Sequence, residues 1–193
     1  DIVTTFNIYL TGVGGQGIGL ISEIILRAAD HAGKSVKSVD THGLAQRGGI
    51  VVSQVRIGDA VFTPLIPAGE ADLAVALERH EALRAMNTAL RDGGSLVYYN
   101  TVQQPLETRL NRAGETTEQE ITETCEKRKV KEHKISVADL SDPRMQNIAV
   151  LATICKYKLI PEIIETHYKQ AMDDLLAGKA LENNLKLFDE VLQ

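Results

Sequence analysis

Two cysteines are all that this 193-residue chain contains, and Cys125 and Cys155 belong to no Cys-x-x-Cys pair. Such a chain cannot by itself supply the four thiolates of an iron–sulfur cluster or a structural zinc. Both thiols read as reduced, Cys125 on a polar helix and Cys155 on an apolar helical face, because a disulfide is disfavoured in a cytosolic setting. An excess of basic charge is also missing. The net charge of −5 argues against a nucleic-acid or anionic-membrane partner. No apolar run reaches the roughly 18 residues of a membrane span. The opening Asp1–Phe6 is too short and too polar for a signal peptide. The expectation is a soluble cytoplasmic protein. Its ordinary composition, 44% hydrophobic and 24% charged, is enough for a substantial core in one domain over residues 1–193.

Apolar spacing sets the order of elements. Asn7–Leu10 reads as a buried strand running into Gly12-Val13-Gly14-Gly15-Gln16-Gly17. Ile18, Ile21, Ile24, Ile25 and Ala28 then recur at helical spacing as far as Gly33, and Val36–Asp40 is a second strand. Strand, turn, helix, strand predicts a βαβ unit with parallel strands. Ile50–Ile57 is a further strand, which Gly58-Asp59 is expected to turn into a hairpin partner. Ala71–Leu77 reads as a strand, Glu78–Leu90 as a helix ended by Gly93-Gly94, and Ser95–Tyr99 as the next strand. The polar stretch 115–129 reads as a solvated helix or an excursion ordered by a partner. Ile135–Val137 returns to the sheet. Three helices follow, Met145–Lys156, Pro161–Ala177 and Lys179–Leu192, with Pro161 in a first turn and Gly178 at a break. The predicted fold is α/β, a Rossmann-like three-layer α/β/α arrangement with a parallel or mixed sheet and a helical C-terminal segment.

Gly12 to Gly17 fits Gly-x-Gly-x-x-Gly after a strand and before a helix, where free N–H groups and the helix dipole favour an anion. Asp40 stands where a dinucleotide domain keeps an acid for ribose. Three interpretations of the turn stand: NAD or FAD binding, close helix–strand packing, or an anion or subunit contact without a dinucleotide. Thr41-His42-Gly43-Leu44-Ala45-Gln46-Arg47-Gly48-Gly49 follows. Arg47 carries five donors suited to phosphate or carboxylate, and Gly48-Gly49 permits close approach by another molecule. His42 is placed for the carboxyl edge of the sheet, as a hydrogen-bond donor, a proton carrier or a loop anchor. His31, His80, His133 and His167 show no metal-ligand spacing and read as solvated. Ser22 and Ser53 show no nucleophile elbow. No self-contained catalytic set and no metal site emerges.

Taken together, Gly12–Ile18 and Thr41–Gly49 closely resemble the gamma-type domain of 2-oxoacid:acceptor oxidoreductases. Pro64-Leu65-Ile66-Pro67, Ala71–Glu78, Gln146-Asn147 and Asn183-Asn184 look most like the small beta subunit of the indolepyruvate:ferredoxin branch. The resemblance implies oxidative decarboxylation of a 2-oxoacid, in that branch an aryl pyruvate. Coenzyme A takes the acyl group and electrons pass to ferredoxin. It also implies that thiamine diphosphate, Mg and iron–sulfur clusters sit on a larger partner subunit. The chain lacks a Gly-Asp-Gly motif followed by Asn-Asn, the thiamine signature, and it is not expected to be active alone. On this resemblance Thr41, His42, Gln46, Arg47, Gly48 and Gly49 are candidates for the substrate, coenzyme A or partner contact. Gly12, Gly14, Gly15, Gln16 and Gly17 are candidates for an anion.

Overall fold

The computed structural model describes residues 5–42, 49–103 and 114–193. Six strands form one mixed sheet in the order β2-β3-β1-β4-β5-β6. They are β1 (Phe6–Val13), β2 (Val36–His42), β3 (Ile50–Ile57), β4 (Ala71–Ala76), β5 (Leu90–Tyr99) and β6 (Lys131–Ile135). The helices are α1 (Ile18–His31), α2 (Arg79–Thr88), α3 (Glu118–Arg128), α4 (Gln146–Lys156), α5 (Glu165–Leu175) and α6 (Gly178–Leu192). A 3-10 turn, Pro143–Met145, leads into α4.

Period-two alternation sends Ile8, Leu10, Val55, Val75 and Val97 to one face, against α1, α4, α5 and α6. Ala74, Ala76, Leu96 and Tyr98 point the other way, into a smaller core with Met86 of α2 and Ile121 and Cys125 of α3. The two cores make the expected three layers.

The sheet departs from a simple βαβ start. β3 lies between β1 and β2 and runs antiparallel to both, while β1–β4, β4–β5 and β5–β6 are parallel. The connection from His42 to Ile50 is too short for a parallel crossover, which needs a dozen or more residues, but suffices for an antiparallel return. With both edges of β3 occupied, no place remains for the expected hairpin partner after Gly58-Asp59. That segment forms a loop in which Val61 is buried and Phe62 fully displayed.

Smaller differences have local causes. Gly93-Gly94 lies inside β5, where the pairing with β4 shifts register. A Cβ on Gly94 would come within 3.0 Å of the Asp72 carbonyl oxygen and 2.8 Å of Leu90, so glycine here serves a bulge rather than a helix stop. The last strand ends at Ile135, because the Tyr99 hydroxyl takes over at Val137, accepting from its N–H (3.0 Å) and donating to its C=O (3.3 Å). Pro161 precedes α5 instead of opening it, and the break before α6 falls at extended Leu176 and Ala177, with Gly178 starting the helix. The polar stretch forms helix α3, held by a Thr117–Glu120 capping box and a buried seam of Ile121 and Cys125.

No described helix is long and apolar enough to cross a membrane.

Candidate functional site at the carboxyl edge of the sheet

β1, β4, β5 and β6 run parallel, and β2 shares their direction, so the glycine turn and the end of β2 open on the same edge. Open α/β sheets bind ligands at this edge, where connections leave neighbouring strands in different directions. Gly14 N–H donates to the Gly49 carbonyl at 2.8 Å, which ties the glycine turn to the end of the Thr41–Gly49 loop. Thr41 is exposed on the strand end and His42 is the last residue of β2. Gly43, Leu44, Ala45, Gln46, Arg47 and Gly48 lie outside the described residues.

The turn itself is closed from within. The last backbone rung between β1 and β4 runs from Leu77 N–H to the Thr11 carbonyl at 3.2 Å. Beyond it the strands diverge, and the Gln16 side chain fills the gap. Its Oε1 accepts from Val13 N–H at 2.7 Å and its Nε2 donates to the Leu77 carbonyl at 3.1 Å. Gln16 is thus buried, with both ends of its amide bonded to backbone. Gly12 makes room for it, since a Cβ there would sit 3.0 Å from Gln16 Oε1 and from Ile18. Gly17, at φ 90°, meets the buried amide of Asn147 at the head of α4; a Cβ would come within 2.4 Å of its Nδ2. Gly15, at φ 93°, faces open space.

Asp40 does not stand where a ribose acid would. β3 intervenes, so β2 is two strand spacings, about 10 Å, from β1. Asp40 Oδ1 accepts from the Ser53 hydroxyl at 2.6 Å, and Ser53 meets Ser22 at 2.6 Å. A crevice filled by Gln16 and a displaced acid leave the dinucleotide geometry incomplete.

A second group of polar residues at this edge was not anticipated. Glu78 ends the apolar run of β4 and caps α2 by accepting from Glu81 N–H. Glu81 Oε2 accepts from the Thr11 hydroxyl at 2.9 Å, and Arg84 approaches Oε1 at 3.5 Å. Both carboxyls are fully buried, and desolvation raises their pKa values above the ordinary carboxylate range. Arg79 Nε donates to the Thr116 carbonyl at 2.8 Å and its Nη1 to Asn100 Oδ1 at 3.0 Å. The half-buried His80 is held by Thr116 through Nδ1 at 2.9 Å. The signal was present in sequence as Glu78-Arg79-His80-Glu81, a charged quartet at the carboxyl end of an apolar strand, the binding end in such sheets. His80 is therefore anchored at the edge rather than simply solvated. Asn183 and Asn184 lie in α6, where Asn184 Nδ2 donates to the Ala180 carbonyl at 2.8 Å.

Among the described residues, no group of three or more His, Cys, Asp or Glu is placed to hold a metal ion. Cys125 and Cys155 are free and buried on opposite sides of the sheet.

The relatives agree with this architecture. The family model for pyruvate ferredoxin/flavodoxin oxidoreductase matches residues 7–193. The indolepyruvate oxidoreductase subunit IorB of Archaeoglobus fulgidus is 39% identical over 189 residues, spanning 93% of this chain and 90% of the relative. The fold is shared with the gamma subunit of a keto/oxoacid ferredoxin oxidoreductase from Geobacter sulfurreducens, at a TM-score of 0.68 and 20% identity over 97% of this chain and 96% of that one. It also recurs within a larger chain, the 2-oxoglutarate:ferredoxin oxidoreductase of Magnetococcus marinus, solved with 2-oxoglutarate, coenzyme A and succinyl-CoA bound. There the TM-score is 0.65 at 20% identity, over 97% of this chain and 30% of that one. Matched almost from end to end, the chain belongs to the pyruvate ferredoxin/flavodoxin oxidoreductase family.

Proposed function

We propose that this chain is the non-thiamine subunit of an indolepyruvate:ferredoxin oxidoreductase. In the reaction an aryl pyruvate loses carbon dioxide, its acyl group passes to coenzyme A, and two electrons leave one at a time for ferredoxin. The observation that carries the assignment is the similarity to the IorB subunit of Archaeoglobus fulgidus, 39% identical over 93% of this chain. Thiamine diphosphate, Mg and the iron–sulfur clusters belong on a larger partner subunit in this proposal, and that partner hands electrons to ferredoxin. Two buried thiols facing different cores suit no cluster on this chain.

The carboxyl edge is the face turned to that partner. Arg47, two residues before the anchored Gly49 in sequence, supplies a planar, permanently charged donor for an anionic group of coenzyme A or of the 2-oxoacid. Thr41, His42, Gln46 and Gly48 complete the contact. The Magnetococcus enzyme, in which this fold is part of a longer chain and coenzyme A is bound, is consistent with the same arrangement built from separate subunits.

The test is co-purification of the tagged chain from its native host, with partners identified by mass spectrometry, followed by assay of the complex on indolepyruvate, coenzyme A and ferredoxin. A stoichiometric thiamine and iron–sulfur subunit with coenzyme A-dependent ferredoxin reduction is expected. A chain that emerges alone carrying NAD or flavin would overturn the proposal. In the complex, Arg47→Ala should lower kcat/KM by about 10- to 100-fold, the loss of one charge-assisted contact, with the subunits still assembled. Unchanged specific activity would remove Arg47 from the site.

A further inference from the structure

β6 is an edge strand of the sheet, with β5 as its one neighbour. Along such a strand successive residues direct their backbone groups to opposite sides. The Ile135 carbonyl faces β5, where it accepts from Asn100 N–H at 2.8 Å. Two residues on, the Tyr99 hydroxyl stands in for a strand partner, bonding both backbone groups of Val137. The inward set thus continues past the end of β6. By the same alternation the N–H and C=O groups of Lys134 and Ser136 point to the open edge, and both residues are exposed. An open edge is a template for another strand, which proteins often blunt with lysine. Here the Lys134 side chain is turned towards α3 by its ion pair with Glu118 at 2.7 Å.

Beside this edge lies a groove of about 380 Å³, walled by Lys134–Ala138 on one side and by Tyr157, Leu187 and Val191 on the other. Tyr157, just past α4, stacks on His133 with ring centroids 4.7 Å apart and is still 53% exposed. Lys156 and Lys158, both exposed, flank it in the chain, and Lys156 Nζ lies 5.9 Å above its ring. Glu190 is the acid on the facing wall. A second recess continues along Val137–Ser141 to Met145. That stretch leaves β6 at the carboxyl end of the sheet and leads into α4, whose Asn147 packs on Gly17. The groove therefore adjoins the edge that the proposed function turns to the larger subunit.

We propose that β6 and its extension to Ala138 accept an extended segment of the larger partner subunit as an added strand. An apolar side chain of that segment packs on Tyr157, and a carboxylate beside it meets Lys156 and Lys158. Strand addition uses backbone groups for affinity and alternate side-chain pockets for specificity, and this edge offers both. The assignment of the occupant rests on the proposed function, which makes this chain one subunit of a larger enzyme.

The experiment compares residue-resolved amide hydrogen exchange in the full chain alone and in the complex with its co-purified larger subunit. The N–H groups of Lys134 and Ser136 should exchange freely in the chain alone and at least about tenfold more slowly in the complex. Ser136→Pro removes an outward donor without touching the β5 ladder, the placement at which an edge strand tolerates proline. It should raise the Kd for the larger subunit by about tenfold, while Ser136→Ala, which keeps the backbone donor, leaves Kd unchanged. Reversing Lys156 and Lys158 to Glu together should weaken assembly by a similar factor, less so at high salt. If Ser136→Pro does not fold, the exchange comparison on the natural chain decides alone. A complex that forms with Lys134 and Ser136 unprotected would overturn the added strand and leave the proposed function standing. Equal losses from Ser136→Pro and Ser136→Ala would overturn it as well. Protection that appears in the chain alone, with a doubled mass, would assign the edge to a second copy instead. A chain with no thiamine-bearing partner would remove the proposed function and this occupant together.

Discussion

Gly15 and Gly17 share a left-handed backbone, at φ 93° and 90°, yet only Gly17 has a neighbour. An L side chain pays about 1–2 kcal/mol for that conformation at either position. At Gly17 it must also displace the Asn147 amide, which sits 2.4 Å from the Cβ position. Gly17→Ala should therefore cost at least about 1 kcal/mol more than Gly15→Ala in urea denaturation, and the excess should vanish in an Asn147→Ala background. Equal costs would mean that the amide simply swings away. Glu81 gives a second test at this scale. Burial is the leading cause of its raised pKa; Arg84 and Thr11 oppose it, Glu78 adds to it and His80 opposes it. The folded state thus holds the proton more tightly than the unfolded chain. Stability is favoured below the unfolded carboxylate pKa and is lost as pH rises towards the folded value. Glu81→Gln still offers an acceptor to Thr11, so it should stabilise the chain near pH 8, with the gain gone near about pH 4. A gain that persists in acid would mean that charge burial is not its source. The glycines were legible as a motif, but the inward turn of Gln16 was not. It depends on where β4 leaves the sheet, which nothing within Gly12–Gly17 encodes.

Helix α3 shows how much an element can hide in a polar sequence. Thr117 and Glu120 exchange hydrogen bonds as a capping box, and only Ile121 and Cys125 face the core. The Thr-x-x-Glu spacing was visible in the sequence, but two apolar residues in a charged stretch do not distinguish a solvated helix from a partner-ordered segment. The distinction came from the surface that α2 provides. Thr117→Ala should cost about 1 kcal/mol and speed amide exchange first at the start of α3. Uniform exchange would mean that the cap contributes nothing local. The thiols belong to this scale because each is shielded by its helix. Burial pushes Cys125 up to about 12 and Cys155 up to about 11, so both stay protonated and unreactive at pH 8. A disulfide reagent should label neither in the native chain and both in guanidinium; rapid native labelling would mean that a helix opens. The strands were mostly legible from alternation. The insertion of β3 was not, because strand runs do not state their partners, although the short return from His42 already disfavoured a parallel neighbour.

At the scale of the whole molecule, the sheet is shared between two cores of unequal size. Leu10, Val75 and Val97 project to the larger core beneath α1 and α4, while Ala74, Leu96 and Tyr98 project from the same strands to the smaller core beneath α2 and α3. Neither helical layer can leave without exposing one face of β4 and β5, whose backbone ladder also supports the other face. The two cores should therefore unfold as one cooperative unit, although the chain is longer than most two-state domains. Leu10→Ala and Leu96→Ala remove a fully buried side chain from opposite sides, and each should cost about 2–5 kcal/mol. If the sheet couples the cores, both substitutions lower a single denaturation midpoint, with secondary structure and tyrosine signals moving together and the denaturant slope unchanged. The site depends on the same coupling, because the glycine turn is held on one side by Leu77 at the end of β4 and on the other by Asn147 of α4. Two separated transitions, one for each substitution, would show that the layers unfold independently. The carboxyl edge would then be joined across a boundary between separate folding units, rather than held by one.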